Sequence, residues 1–284
     1  MPELPEVEAV RTGLEQLVLG KEIQEVQVFW PKIIVTDLSL DEWSTRLVGQ
    51  VIQSMRRRAK YLLMGLTDGE LVIHLRMEGK FNYFPAEALP ETRGKHAHVV
   101  FAFRDGSQLH YDDVRKFGRM EWLNYDQEVD YFTERKLGPE PVASQFQLAR
   151  FAAQLSRLNR AIKPVLLDQK LVVGLGNIYV DETLFRAKIH PATPANQLTA
   201  DEVACLHDKI IEVLAEAVEA GGSTIRTYRN SLGEAGKFQT ALAVYGRAGE
   251  PCPVCGEPIS KIKLAQRGTH FCAHCQPMKK GRGQ

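Results

Sequence analysis

The sequence predicts a multidomain α+β protein: an N-terminal domain of short strands with flanking helices, a helical region after it, and a terminal four-cysteine ribbon. Three observations carry this. From Glu22 to Leu123, short apolar runs alternate with turn signals, the spacing of a sandwich or barrel. Leu137-Gly138-Pro139-Glu140-Pro141 then interrupts the chain, and apolar residues recur at helical spacing beyond it. Last, Cys252 and Cys255 are followed after sixteen residues by Cys272 and Cys275, two C-x-x-C pairs at zinc-ribbon spacing.

In chain order, Val7, Val10, Leu14, Leu17 and Val18 place an amphipathic helix over residues 5–18. Strands are predicted at 26–28, 51–55, 61–66, 71–75, 98–103, 108–111 and 120–123. Turns such as Thr67-Asp68-Gly69 and Arg104-Asp105-Gly106 separate several of them. Past the 137–141 break, 146–158 reads as an amphipathic helix, and 162–186 as two short helices around Gly174-Leu175-Gly176-Asn177. Thr199 and Glu202 form a capping box before Val203, Leu206, Ile210, Val213, Leu214 and Ala217. On this helix Cys205 is expected to be a core thiol. Residues 221–238 are a Gly-rich polar loop. The expected domains are 1–136, 137–240 and 241–284.

A hydrophobic fraction of 44% with 25% charged residues excludes wholesale disorder and a collagen-like chain. The longest nearly uncharged apolar run, Leu171 to Val180, falls far short of the ~18 residues of a membrane span. The N-terminus carries acids and prolines where a signal peptide needs positive charge, so a cytosolic location is expected. In a reducing compartment clustered cysteines point to metal rather than disulfides. Net charge is only +1, but it is unevenly spread. Residues 1–140 hold 18 basic and 23 acidic side chains, whereas residues 141–284 hold 18 and 12. A basic half on a balanced protein is compatible with nucleic-acid binding.

Four thiolates satisfy tetrahedral Zn²⁺ and leave no open position, so one structural zinc is expected and no catalytic one. Lys261, Lys263, Gln266 and Arg267 on the ribbon are placed to meet phosphate. Pro2 becomes a secondary amine if Met1 is removed, and an α-amino group titrating near ~8 is partly unprotonated at neutral pH. Such an amine can attack a sugar aldehyde carbon, with Glu3 and Glu6 as acid/base or orienting groups. The same residues also read simply as the acidic opening of a helix. Arg56-Arg57-Arg58-Ala59-Lys60 places cations at a strand start. The segment 112–118 has the composition of a wedge for an unstacked base step, and equally of an ordinary turn. Gly174-x-Gly176 lacks the third glycine of a dinucleotide motif. It can instead offer backbone N–H groups to one phosphate, reinforced by Lys163, Lys170 and Asn177. On pattern alone His96 and His98 form a structural pair on a strand face, and His74 and His207 are packing or surface residues.

Taken together, the chain closely resembles the bacterial formamidopyrimidine-DNA glycosylase family over essentially its whole length. The carrying motifs are MPELPEVE at 1–8, RRAKYL at 57–62, HLRMEG at 74–79, DVRKFG at 113–118 and LGPEP at 137–141. KLVVGLGNIY at 170–179, VYGR at 244–247 and AQR at 265–267 beside the ribbon complete the set. The resemblance implies an N-terminal β-sandwich, a helix–two-turns–helix domain, a zinc finger and damaged double-stranded DNA in the cleft between. It implies excision of oxidised purines, notably 8-oxoguanine opposite cytosine and formamidopyrimidines, followed by β,δ-elimination, with no organic cofactor, in a monomer of the bacterial cytosol or nucleoid. By the same resemblance Pro2 is the nucleophile, Glu3 the proton donor, Lys60 an essential phosphate contact, and Glu6 a support for the N-terminus. Met77, Arg115 and Phe117 fill the space of the extruded nucleotide, and Arg115 faces the orphan cytosine. His74, His96, Arg115, Lys163, Asn177 and Arg267 contact DNA, and 221–238 caps the lesion. Val114 stands where the family often has proline. Alternatives are an endonuclease VIII-like enzyme for oxidised pyrimidines, against which Leu4 and Arg115 argue, and a non-catalytic zinc-ribbon DNA binder. A small-molecule enzyme with an N-terminal proline base fits the ribbon and charge split less well.

Overall fold

The computed structural model describes residues 2–223 and 236–278. It divides into two compact units, Met1–Arg135 with Ala220–Lys237, and Lys136–Glu219 with Phe238–Gln284. The first break lies beside the expected boundary at 136. The ribbon falls in one unit with the helices, and the segment from Ala220 to Lys237 falls with the first unit.

In the first unit α1 (Leu4–Val18) is followed by β1 (Ile23–Val28), β2 (Ile34–Val35) and α2 (Leu40–Leu47). Then come β3 (Ser54–Arg58), β4 (Tyr61–Gly65), β5 (Glu70–His74) and β6 (Lys80–Phe84). The last elements are β7 (Ala97–Phe103), β8 (Gln108–Asp112), β9 (Arg119–Leu123) and α3 (Glu128–Glu134). They form two sheets, ordered β1-β7-β8-β6 and β2-β9-β5-β4-β3, antiparallel throughout except for β2 beside β9. Two separate sheets make this a sandwich rather than a barrel. Leu62, Met64, Leu71 and Ile73 alternate inward from one sheet. Phe81, Val99, Phe101 and Tyr111 do so from the other, and all share one core with Val7, Val10, Leu14 and Val18 of α1.

Two helices, α2 and α3, and two strands, β2 and β6, were not anticipated. At α2, Ser39 caps the helix by accepting from Glu42 N–H, and Glu42 returns a bond to Ser39, a capping box legible in the sequence. Only Phe81 of β6 is fully inward, so its apolar signal is weak.

The second unit holds α4 (Leu148–Leu155), α5 (Ile162–Leu167), α6 (Asn177–Arg186), α7 (Ala200–Glu219), β10 (Ser260–Leu264) and β11 (Arg267–Phe271). Helix α4 is shorter than the predicted 146–158. Phe146 is buried ahead of it, where its carbonyl accepts from His207 Nε2 at 2.7 Å and its ring stacks on the imidazole at 4.5 Å. The α7 capping box is present, Thr199 N–H donating to Glu202 at 2.7 Å. Its apolar stripe is buried as predicted. Cys205, however, is exposed. It directly precedes buried Leu206, and one residue's ~100° turn puts it on the solvent side. Among the described residues no helix is long and apolar enough to cross a membrane.

Candidate active site and metal centre

The start of α1 is built by its own acids. Glu3 is the N-cap and Glu6 lies three residues on. Glu3 N–H donates to Glu6 Oε2 at 2.8 Å, and the Glu3 side chain accepts from Glu6 N–H. The other Glu6 oxygen accepts from Ser223 N–H at 2.7 Å. Gly222, at φ +79°, lies so close that a Cβ there would press on the Glu6 side chain. Glu6 therefore ties the chain start to the beginning of the Gly-rich segment. The rest of that segment, 224–235, lies outside the described residues, as does most of the expected lesion cap. Pro2, Glu3 and Glu6 are all buried.

Lys60 occupies the two-residue turn between β3 and β4, after Ala59 at φ +53°. A lysine in such a turn normally reaches into water, yet this one is only 6% exposed. Glu8 of α1 accepts from Arg57 Nε at 2.7 Å, and Arg11, one turn on, donates to the Met55 carbonyl at 3.3 Å. Advancing along α1 thus means retreating along β3, so the two run antiparallel. The N-terminus of α1 then points toward the Ala59-Lys60 turn, which gathers Pro2, Glu3 and Lys60 at one end of the unit. Once Met1 is removed, Pro2 would present an amine beside the Glu3 carboxylate, the parts that amine-based covalent catalysis uses.

His74 ends β5 edge-on to Tyr61 at 4.6 Å, and its Nδ1 accepts from Arg76 N–H at 3.0 Å. Burial, with the cations Arg76 and Lys60 adding to it, pushes its pKa down to about 3. The imidazole is therefore neutral at physiological pH and keeps a donor at Nε2. His96 and His98 do not form a pair on one strand face. A bulge between Ala97 and Val99 starts β7 after His96. His96 lies in the preceding turn and gives its carbonyl to Asp113 N–H at 3.0 Å. His98 is buried and donates from Nε2 to the Asp113 carbonyl at 3.0 Å.

The three void-filling candidates lie on two loops that meet at one side chain. A Cβ at either Gly79 or Gly118 would run into the Tyr111 hydroxyl. The loop carrying Met77 and the loop carrying Arg115 and Phe117 are therefore seated against the same phenol. Arg115 and Phe117 are exposed, with the guanidinium 4.9 Å from the ring centroid.

In the second unit, Asn177 opens α6 behind the Gly176 N-cap and donates from Nδ2 to the Gly268 carbonyl at 2.9 Å. Exposed Arg267 stands next to Gly268, after a hairpin turn in which Ala265 and Gln266 have φ of +46° and +63°. Two positive φ values are the mirror-image turn that matches strand twist. Lys163 departs from expectation. It is fully buried, 2.7 Å from Asp181 Oδ1 and 3.1 Å from the Gly268 carbonyl, so it reaches no phosphate itself. Its charge goes to Asp181, whose second oxygen accepts from His270 N–H at 2.9 Å. Lys163 thus locks α6 to the hairpin that carries Arg267.

Glu182 likewise accepts from the N–H groups of Ala243, Val244 and Tyr245 at 2.8–2.9 Å. Burial pushes its pKa up against those three bonds. Sequence reading missed Asp113, Asp181 and Glu182. The available signal was two adjacent acids inside the apolar run of α6, since buried carboxylates require partners.

The four ribbon sulfurs lie within 4.8 Å of one another. Cys252 and Cys275 are separated by 3.9 Å, and Cys255 and Cys272 by 3.5 Å. A Zn–S length of about 2.3 Å implies tetrahedral edges of about 3.8 Å, which these separations fit. Val254 and Cys275 N–H groups point at Cys252 and Cys272 sulfur at 3.4 Å, supporting thiolates.

Comparison with known proteins agrees with this geometry. The chain matches the formamidopyrimidine-DNA glycosylase N-terminal domain over residues 1–120 and the H2TH domain of the same family over 137–229. The zinc finger found in FPG and IleRS matches 249–277. The chain is 57% identical to the formamidopyrimidine-DNA glycosylase of Enterococcus faecalis, covering 98% of each chain. It is 54% identical to that of Streptococcus pneumoniae, covering 97% of this chain and 99% of the relative. Among solved structures, Lactococcus lactis Fpg bound to N7-benzyl-Fapy-dG DNA is similar at TM-score 0.92 and 46% identity, covering 97% of this chain and all of that one. The same enzyme with abasic-site DNA gives 0.92 and 47%, with the same coverage.

Proposed function

The chain belongs to the formamidopyrimidine-DNA glycosylase family, and from that premise we propose that it is a bifunctional DNA glycosylase and AP lyase. Its substrates are oxidised purines in duplex DNA, 8-oxoguanine opposite cytosine and formamidopyrimidines. A base inside the duplex hides its glycosidic bond, so the nucleotide must be extruded at a cost of a few kcal/mol. Met77, Arg115 and Phe117 fill the vacated space and offset part of that cost.

After removal of Met1, the Pro2 nitrogen bonds to the sugar C1′ as the bond to the base breaks and the base leaves with a proton. Glu3 supplies the proton that opens the sugar ring. The resulting iminium acidifies the C2′ protons. Loss of one expels the 3′ phosphate, and a second elimination expels the 5′ phosphate. Lys60 holds a phosphate by the lesion, and Glu6 holds the N-terminus. Neutral His74 donates to phosphate without adding charge, and His96 is a further DNA contact. Asn177 and Arg267 grip flanking phosphates, with Lys163 acting through the hairpin. One structural Zn²⁺ held by Cys252, Cys255, Cys272 and Cys275 shapes the finger. We assign catalysis to 1–136, DNA binding to 137–240 with a lesion cap at 221–238, and the finger to 241–284. The enzyme acts as a monomer in the cytosol or nucleoid.

The observation that carries this reading is the start of α1, where buried Pro2 and Glu3 are fixed by Glu6 at the end of the unit that holds buried Lys60. Borohydride trapping tests it. An 8-oxoguanine·cytosine duplex should yield a reduced adduct at the N-terminal proline. An adduct formed only with a thymine-glycol duplex would move the substrate to oxidised pyrimidines. Tight binding without any adduct, once Met1 loss is verified, would rule out catalysis.

A further inference from the structure

We infer that Asp113 is the positioning residue that lets Arg115 and Phe117 discriminate the base opposite the lesion; this rests on the function proposed above. The Asp113 carboxylate is fully buried. It accepts from the N–H groups of Arg115 at 3.0 Å, Phe117 at 2.8 Å and Gly118 at 2.7 Å. Its backbone is equally engaged. The N–H donates to the His96 carbonyl, and the carbonyl accepts from Lys116 N–H at 3.2 Å and from His98 Nε2 at 3.0 Å. Every polar atom of the residue is bonded to this loop or to the turn and strand behind it. The loop backbone is folded around an internal anion, as a nest of N–H groups folds around a bound one.

Two further contacts complete the arrangement. Lys116 adopts the left-handed conformation at φ +58°, and its ammonium sits 3.8 Å from the Trp30 ring centroid. The cation between Arg115 and Phe117 is thereby drawn aside, leaving those two to project together. Gly118 is seated on Tyr111. Val114 is 56% exposed and lacks the fixed φ that proline would bring to this position. The rigidity of the loop therefore comes from the Asp113 carboxylate. A guanidinium reads a base edge through directional bonds, so its discrimination depends on where its backbone is held.

Wild type, Asp113→Ala and Asp113→Asn would be assayed on duplexes with 8-oxoguanine opposite cytosine and opposite adenine. A single strand with a preformed abasic site is the third substrate, since it has no opposite base and needs no wedge. Displacing catalytic geometry by about 1 Å costs roughly 100-fold. Asp113→Ala should accordingly lose on the order of 10- to 100-fold opposite cytosine, with the cytosine-to-adenine preference collapsing toward one. Asp113→Asn, which keeps one acceptor oxygen, should fall between. Single-strand lyase activity should be retained in both. An equal loss on all three substrates, or an unchanged preference, would overturn the role. Asp113→Asn decides if the alanine variant does not fold. A wild type inactive on both duplexes would overturn the proposed function, and this inference with it.

Discussion

Both oxygens of the Glu6 carboxylate are committed to backbone N–H groups, one of Glu3 and one of Ser223. Glutamine offers one acceptor where two are needed, and a buried N–H left unpaired costs about 1–3 kcal/mol. Glu6→Gln should therefore slow borohydride trapping by roughly tenfold or more while leaving duplex affinity nearly intact, as read by gel-shift titration. His74 makes a second residue-scale prediction. Its folded pKa of about 3 lies below the unfolded value of 6.5. The stability it contributes is fully present above pH 6.5, falls as the unfolded chain takes up the proton, and stops changing below about 3. An NMR titration should show its ring proton shifts flat from pH 8 to 5, and titration in that window would refute a neutral role. His74→Ala should weaken DNA binding without changing its salt dependence.

At the scale of elements, the loops at 74–79 and 113–118 owe their proximity to Tyr111, whose hydroxyl is buried with no hydrogen-bond partner among the described residues. Burial pushes that phenol pKa well up. A methyl group at Gly118 would run into the Tyr111 hydroxyl and lie 2.7 Å from its ring carbon Cζ, and overpacking of this kind costs about 1–3 kcal/mol. Gly118→Ala should lower the melting temperature by that equivalent. Tyr111→Phe should be neutral or stabilising, because an unsatisfied buried hydroxyl is removed, and it should restore part of the loss in the double variant, since the ring carbon beside Gly118 remains. Independent, additive effects in calorimetry would show that the two groups do not share the space. The glycines were legible in the sequence as members of motifs. Their reason was not, because a clash with a tyrosine on another strand is a tertiary fact.

For the whole molecule, zinc ties the sulfurs, while Asp181, Lys163 and Asn177 tie the ribbon hairpin to α6. Cys272→Ser, or chelation, should drop metal content below one per chain by elemental analysis. It should also lower duplex affinity, and Arg267→Ala should flatten the salt dependence of binding by about one charge. Single-strand lyase activity should persist in both, since Pro2 and Glu3 belong to the other unit. By itself the sequence determined the zinc ligands, the α1 helix, the α7 capping box and most of the alternating strands. Each is a local pattern, set by spacing along a knuckle, a helix turn or a pleat. Only the tertiary structure decided that α1 runs against β3 so that its N-terminus points toward the Lys60 turn. It alone decided that Asp113 gathers three N–H groups, that Lys163 turns inward to Asp181, and that Cys205 faces solvent. The environment of a polar side chain is set by elements distant in sequence, and burying a charge is tolerable only where those elements supply its partner.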